Sequence, residues 1–134
     1  MSESFKGFNA SKDNIIRVHA QFFTDLLPHI DDLAEVKLTL FCYHVLHQLD
    51  GAYRYLLYSD FRDNGTLMRM LEDIYPDADP DELLDATIMK TVERGTLLYA
   101  KVETEKGPEG LYFLNTDKGR EAIEQLKAGN WQPA

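Results

Sequence analysis

The stretch DPDELLDATIMKTVERG (79–95), TLLYAKVE (96–103), TEKGPEG (104–110), LYFLNT (111–116) and DKGREAIEQL (117–126) decides the fold. Asp79 offers an acidic N-cap. Pro80 takes the first helical position, where a missing N–H costs nothing, and Glu82 stands three residues after the cap. Leu83, Leu84, Ala86, Thr87, Ile88 and Val92 supply an apolar side as far as Arg94, and Gly95 ends the helix. Thr96 to Glu103 and Leu111 to Asn115 alternate or run apolar, as strands do. Lys106 to Gly110 reads as the tip of a hairpin. Thr116 caps a last helix that carries Ala122, Ile123 and Leu126 on one face.

Upstream, Ile15, Ile16, Val18, Phe22, Phe23, Leu26 and Leu27 recur at helical spacing, and the expected helix spans residues 17 to 27, stopped by Pro28. Asp32 and Glu35 have the spacing of a capping box. The helix they open runs to about Leu49 and is apolar nearly all round from Leu38 to Leu46, which marks it as the buried spine. Asp50-Gly51 ends it. Tyr53 to Tyr58 (YRYLLY) suits an edge strand pairing with the later hairpin. Ser59 and Asp60 offer caps for a short turn, Asn64-Gly65 signals a turn, and Thr66 is the expected cap of a helix to Ile74.

The chain has 134 residues, 44% of them hydrophobic and 28% charged, which suits one domain with one sizeable core. The expected organisation is an N-terminal arm (1–14), a domain (15–128), and a tail or start of a linker (129–134). Formal net charge is −9. Tight binding to nucleic acid normally needs a basic face, because each neutralised phosphate releases counterions. A single cysteine, Cys42, inside an apolar run fits a reducing compartment. The N-terminus has no apolar signal region and no apolar run is long enough to span a bilayer, so a cytoplasmic protein without membrane contact is expected.

A helix running into a hairpin, preceded by helix–strand–helix, is the order of a winged helix. The expected fold class is therefore α+β, a helix-turn-helix core with a three-stranded sheet and wing, plus extra N- and C-terminal helices. YFLNTDKGR (112–120) resembles the strand-to-helix passage of winged-helix regulators. FFTDLLPHIDDLAEVKLTLFCYHVLH (22–47), GAYRYLLYSDF (51–61) and VERGTLLYAKVE (92–103) together resemble the N-terminal winged-helix domain of DnaD-like bacterial replication-initiation (primosome) proteins. The resemblance covers about residues 15–126. It implies a module that self-associates as a homo-oligomer and docks replication-initiation or helicase-loading proteins, with weak or indirect DNA contact. Nothing in this chain matches the second, helical domain that carries much of that family's DNA binding. The alternative is a dimeric winged-helix transcription regulator that reads duplex DNA.

Individual residues weigh between these readings. The helix over 79–94 holds Asp79, Asp81, Glu82, Asp85 and Glu93 against Lys90 and Arg94, where a major-groove reader would be basic. The acids suit the helix dipole. Lys90, Arg94 and Lys101, with Lys106 at the wing tip, are the candidate nucleic-acid contacts. Phe5 and Phe8 in the arm, and Tyr53, Tyr55, Tyr99 and Tyr112 on the sheet, are the candidate protein interface, since alternate strand residues should leave some rings outside. His44 and His47 are spaced i, i+3 on the spine but lack a third ligand, so no metal is expected. No cofactor, small-molecule substrate or catalytic constellation is expected: the chain has no P-loop, dinucleotide fingerprint or nucleophile elbow.

Overall fold

The computed structural model describes residues 4–9 and 11–133, so parts of the expected arm (1–3 and 10) and Ala134 lie outside the described residues. The protein is α+β. Among the described residues five α-helices, α1 (Leu33–His47), α2 (Tyr58–Arg62), α3 (Gly65–Ile74), α4 (Pro80–Arg94) and α5 (Asp117–Lys127), accompany strands β1 (Leu56–Leu57), β2 (Leu97–Thr104) and β3 (Gly107–Leu114). The strands form an antiparallel sheet in the order β1-β3-β2, with Leu56 opposite Tyr112 and Leu97 opposite Leu114. Among the described residues no helix is long and apolar enough to cross a membrane.

The caps explain most boundaries. Asp79 accepts the Glu82 N–H at 3.0 Å, and Gly95, at φ +90°, closes α4 in the left-handed region that favours glycine. Thr116 accepts the Gly119 N–H at 3.1 Å and starts α5. Three expected caps differ. Asn64, not Thr66, caps α3, because its side-chain oxygen reaches the Leu67 N–H at 3.0 Å. Asp32 caps α1 through Ala34 N–H at 3.2 Å, but Glu35 does not complete the box, because it turns inward to an arginine. Helix α1 ends at His47, with Gln48 as its cap in right-handed geometry, and Gly51 (φ +108°) turns the chain afterwards.

Three further expectations are corrected. The helix foreseen over 17–27 is a short winding: a wide π-type turn at Phe22–Leu26, then a 3-10 turn at Leu27–His29. Pro28 is the reason. It has no N–H to donate and its ring clashes with the carbonyl four residues back, so α-geometry cannot run through it. The Leu27 N–H bonds instead to Phe22 carbonyl. The strand foreseen over 53–58 shrinks to Leu56–Leu57, since Asp60 accepts the Leu57 N–H at 2.7 Å and draws Tyr58 into α2. The hairpin tip is tighter than Lys106 to Gly110. Thr104 pairs with Gly107, leaving Glu105 and Lys106 as the turn. Gly107 takes φ +110° there, and its carbonyl accepts the Thr104 hydroxyl at 2.7 Å.

The sheet is a middle layer. Leu56, Leu97, Tyr112 and Leu114 face the main core, which Leu38, Phe41, Cys42, Phe61, Leu67, Leu71 and Leu84 fill from α1 to α4. Burial pushes the Cys42 thiol well above its ordinary range. On the other face, Leu111 and Phe113 pack with Ala122, Ile123 and Leu126 of α5 and with Trp131. The tail therefore folds back as far as Trp131: its ring meets Tyr53 edge-on at 5.2 Å and Tyr55 at 5.9 Å.

Gly119 makes this third layer possible. It is buried, and a Cβ there would collide with the Leu114 carbonyl oxygen, a backbone atom that cannot swing aside. Gly119→Ala should therefore lift the first turn of α5 from the sheet and cost about 1–3 kcal/mol. Urea denaturation followed by Trp131 fluorescence measures this. An unchanged midpoint would show that α5 does not depend on that close approach.

Candidate functional site

The outward face of α4 is where a winged helix would meet a duplex. Its two cations pair with carboxylates at the start of α1 while staying partly in solvent, with the Lys90 side chain 53% exposed and that of Arg94 27% exposed. Lys90 Nζ lies 3.0 Å from Asp32 Oδ2, and Asp32 Oδ1 also accepts the Tyr75 hydroxyl at 2.8 Å. Arg94 forks onto the fully buried Glu35: Nη2 donates to Oε1 at 3.0 Å and Nε to Oε2, while Nη1 donates to the His29 carbonyl at 3.2 Å. A planar guanidinium suits such two-point pairing. Hydrogen bonds and attraction from Asp32 raise the Lys90 ammonium pKa, and Glu35 does the same for Arg94.

The acids stay outside. Asp81, Glu82, Asp85 and Glu93 are exposed, with Met89 60% exposed among them. Asp81 pairs with Arg62, and Asp85 accepts the Tyr58 hydroxyl at 2.7 Å. Burial first, then the Asp85 carboxylate, push the Tyr58 phenol up to about 12. Of the four candidate nucleic-acid contacts, Lys90 and Arg94 are thus engaged with carboxylates. Lys101 on β2 and Lys106 on the hairpin turn are exposed and have no carboxylate partner among the described residues.

Asp32 gives this cluster a pH dependence. Burial alone would raise its pKa. Hydrogen bonds from Lys90, Tyr75 and the Ala34 N–H outweigh that and hold its carboxyl below the ordinary range. Its contribution to stability is therefore present above the unfolded value of about 3.9 and is lost as pH falls through the folded value. Asp32→Asn should lower stability by about 1–3 kcal/mol near neutrality. That deficit should shrink steadily as pH falls below about 4. A deficit independent of pH, in urea melts across that range, would assign Asp32 a purely steric role.

The candidate interface aromatics divide. Phe5 and Phe8 are 71% and 93% exposed and meet each other edge-on at 4.8 Å. Tyr53 and Tyr55 are half-buried beneath Trp131, and Tyr53 donates to Glu121 at 2.6 Å. Tyr112 is half-buried against Phe61. Tyr99 is 47% exposed and covers Gly110. The sheet face on which Tyr53, Tyr55 and Phe113 lie is largely covered by the protein's own α5 and Trp131, and of the candidate sheet rings Tyr99 lies outside.

A groove of about 640 Å³ that the sequence did not disclose lies between the segment from Lys12 to His19, the end of α1 and the β3–α5 junction. Its charged and ring-nitrogen side chains are Lys12, Arg17, His19, His47, Arg54 and Lys118, and no carboxylate lines it among the described residues. Ile15, Leu46 and Leu114 contribute apolar lining. The Tyr43 hydroxyl bonds to His19 Nδ1 at 2.8 Å, tying the segment to α1, and Arg54 Nη1 donates to the Leu46 carbonyl at 3.4 Å. The cations come from separated stretches, so no motif announces them.

His44 and His47 are exposed, and the described residues hold no group of three or more His, Cys, Asp or Glu side chains placed to share a metal ion. No protein-family model, curated relative or solved structure matches the chain.

Proposed function

We propose that this chain is a winged-helix assembly module of a DnaD-like replication-initiation protein. It self-associates and docks replication-initiation or helicase-loading partners, with weak or no direct DNA binding. The order α1-β1-α2-α3-α4-β2-β3 and the strand order β1-β3-β2 support a winged helix, with α2 and α3 together in the place of its second helix. The observation that carries the functional reading is the pairing of Lys90 and Arg94 with Asp32 and Glu35, which leaves Asp81, Glu82, Asp85 and Glu93 in excess on the exposed side of α4. Phosphates repel such a face.

A second reading, a dimeric regulator that reads duplex DNA, is favoured by Lys106 on the hairpin turn and Lys101 on β2, which remain free to meet phosphate. Light scattering at tens of micromolar tests the assembly half of the proposal. A mass of two chains or more is expected. A monomer at every concentration would contradict self-association.

A further inference from the structure

We infer that the groove between the Lys12–His19 segment, the end of α1 and the β3–α5 junction is the partner-docking site, and that it takes an acidic peptide segment anchored by aliphatic side chains. The inference rests on the docking reading above and names the chemistry of the partner.

Charge is the first argument. The whole chain carries −9, yet every titratable lining group except the Tyr43 phenol is a cation or an imidazole. Four of them, Lys12, Arg17, Arg54 and Lys118, are lysines or arginines, and all four are exposed. A concave site of one sign on a body of the other focuses anions towards itself. Glu121 lies near Lys118, but it is occupied by the Tyr53 hydroxyl at 2.6 Å and the Lys118 ammonium at 3.5 Å. Asp117 is paired with Arg120.

The apolar lining selects the class of anion. Single-stranded nucleic acid relies on exposed rings on which bases stack. The large rings here, Tyr43 and Phe113, are 9% and 1% exposed and offer no free face, which leaves only the small imidazoles of His19 and His47 exposed. Ile15, by contrast, is 58% exposed at the groove and Leu114 is half-buried beside it, with the buried Leu46 behind them. Aliphatic lining inside a cationic rim matches a peptide that alternates carboxylates with leucine-like residues. The volume suits a few side chains rather than a folded domain.

The test is a nitrogen-15 correlation titration of the full chain with a short synthetic peptide of repeated Glu-Glu-Leu at low salt. A Lys-Lys-Leu peptide and oligothymidylate are titrated in parallel. Saturable shifts are expected at Arg17, His19, His47, Arg54 and Lys118 with the acidic peptide alone, weakening with added salt. Lys12→Glu with Arg17→Glu, two exposed positions with no side-chain hydrogen bond among the described residues, should weaken binding about tenfold. Arg69→Glu, exposed on α3 away from the groove, should leave it unchanged. Retained spectra of the variants show that they fold.

Absence of shifts with the acidic peptide, or shifts outside the groove, would overturn the inference and leave the assembly reading standing. Oligothymidylate binding in the groove in place of the peptide would overturn both the inference and the reading of weak DNA contact.

Discussion

Arg94→Ala is expected to destabilise the protein by about 3–5 kcal/mol, because it strands a buried carboxylate. Glu35 is fully buried on α1 and receives two guanidinium bonds from Arg94 on α4. Taking a carboxylate out of water costs several kcal/mol, which the fork offsets only while it is present. Removing the arginine leaves the cost and deletes the compensation. Arg94→Lys keeps the charge but not the fork, so it should recover only part of the loss. Replacing both partners together, Glu35→Leu with Arg94→Met, should come close to the original stability, since no charge is then buried. Urea midpoints of the three variants measure this. An Arg94→Ala midpoint equal to the parent would mean that the pair is solvated, and that Arg94 is free to turn outward to a ligand.

Phe61→Ala should cost a similar amount, about 3–5 kcal/mol. Phe61 is fully buried on α2, a helix of five residues that cannot persist on its own. Its ring lies 5.9 Å from Phe41 of α1 and 5.5 Å, edge-on, from Tyr112 of β3. Truncation opens a cavity where the helical layer, the short strand β1 and the sheet meet, and a core packed this closely collapses only partly into such a gap. Thermal and urea unfolding read the loss. A cost under about 1 kcal/mol would show that neighbouring side chains refill the site.

The elements that were legible in the sequence carry strong local signals. Asp79, Pro80 and Gly95 bound α4 where their chemistry says they should, and Thr116 starts α5. The spine from Leu38 to Leu46 is buried on one side only: Leu38, Phe41, Cys42 and Leu46 enter the core, whereas Leu40 and His44 are exposed. Tertiary effects escaped. Glu35 read as half of a capping box because its true partner is 59 positions away. Tyr53 and Tyr55 read as candidate exposed rings because nothing in AGNWQPA says that Trp131 returns to cover them. Pro28 reads as a stop, yet its effect reaches back through Phe22.

The candidate site was legible in sign and not in place. The acidity of α4 was plain in its residues, whereas the fate of Lys90 and Arg94 needed α1 beside them. The groove was hidden for the same reason. Its cationic and imidazole side chains arrive from the N-terminal segment, the end of α1, the loop before β1 and the start of α5, and only folding brings them together.

The central claim is that α4 and the hairpin do not read DNA. Fluorescence anisotropy with labelled single- and double-stranded DNA, at low and moderate salt and on protein of known mass, tests it most directly. The account predicts weak or absent binding by an oligomer. Tight duplex binding with a steep salt slope, reduced by Lys101→Ala and Lys106→Ala, would contradict it and identify a DNA-reading regulator.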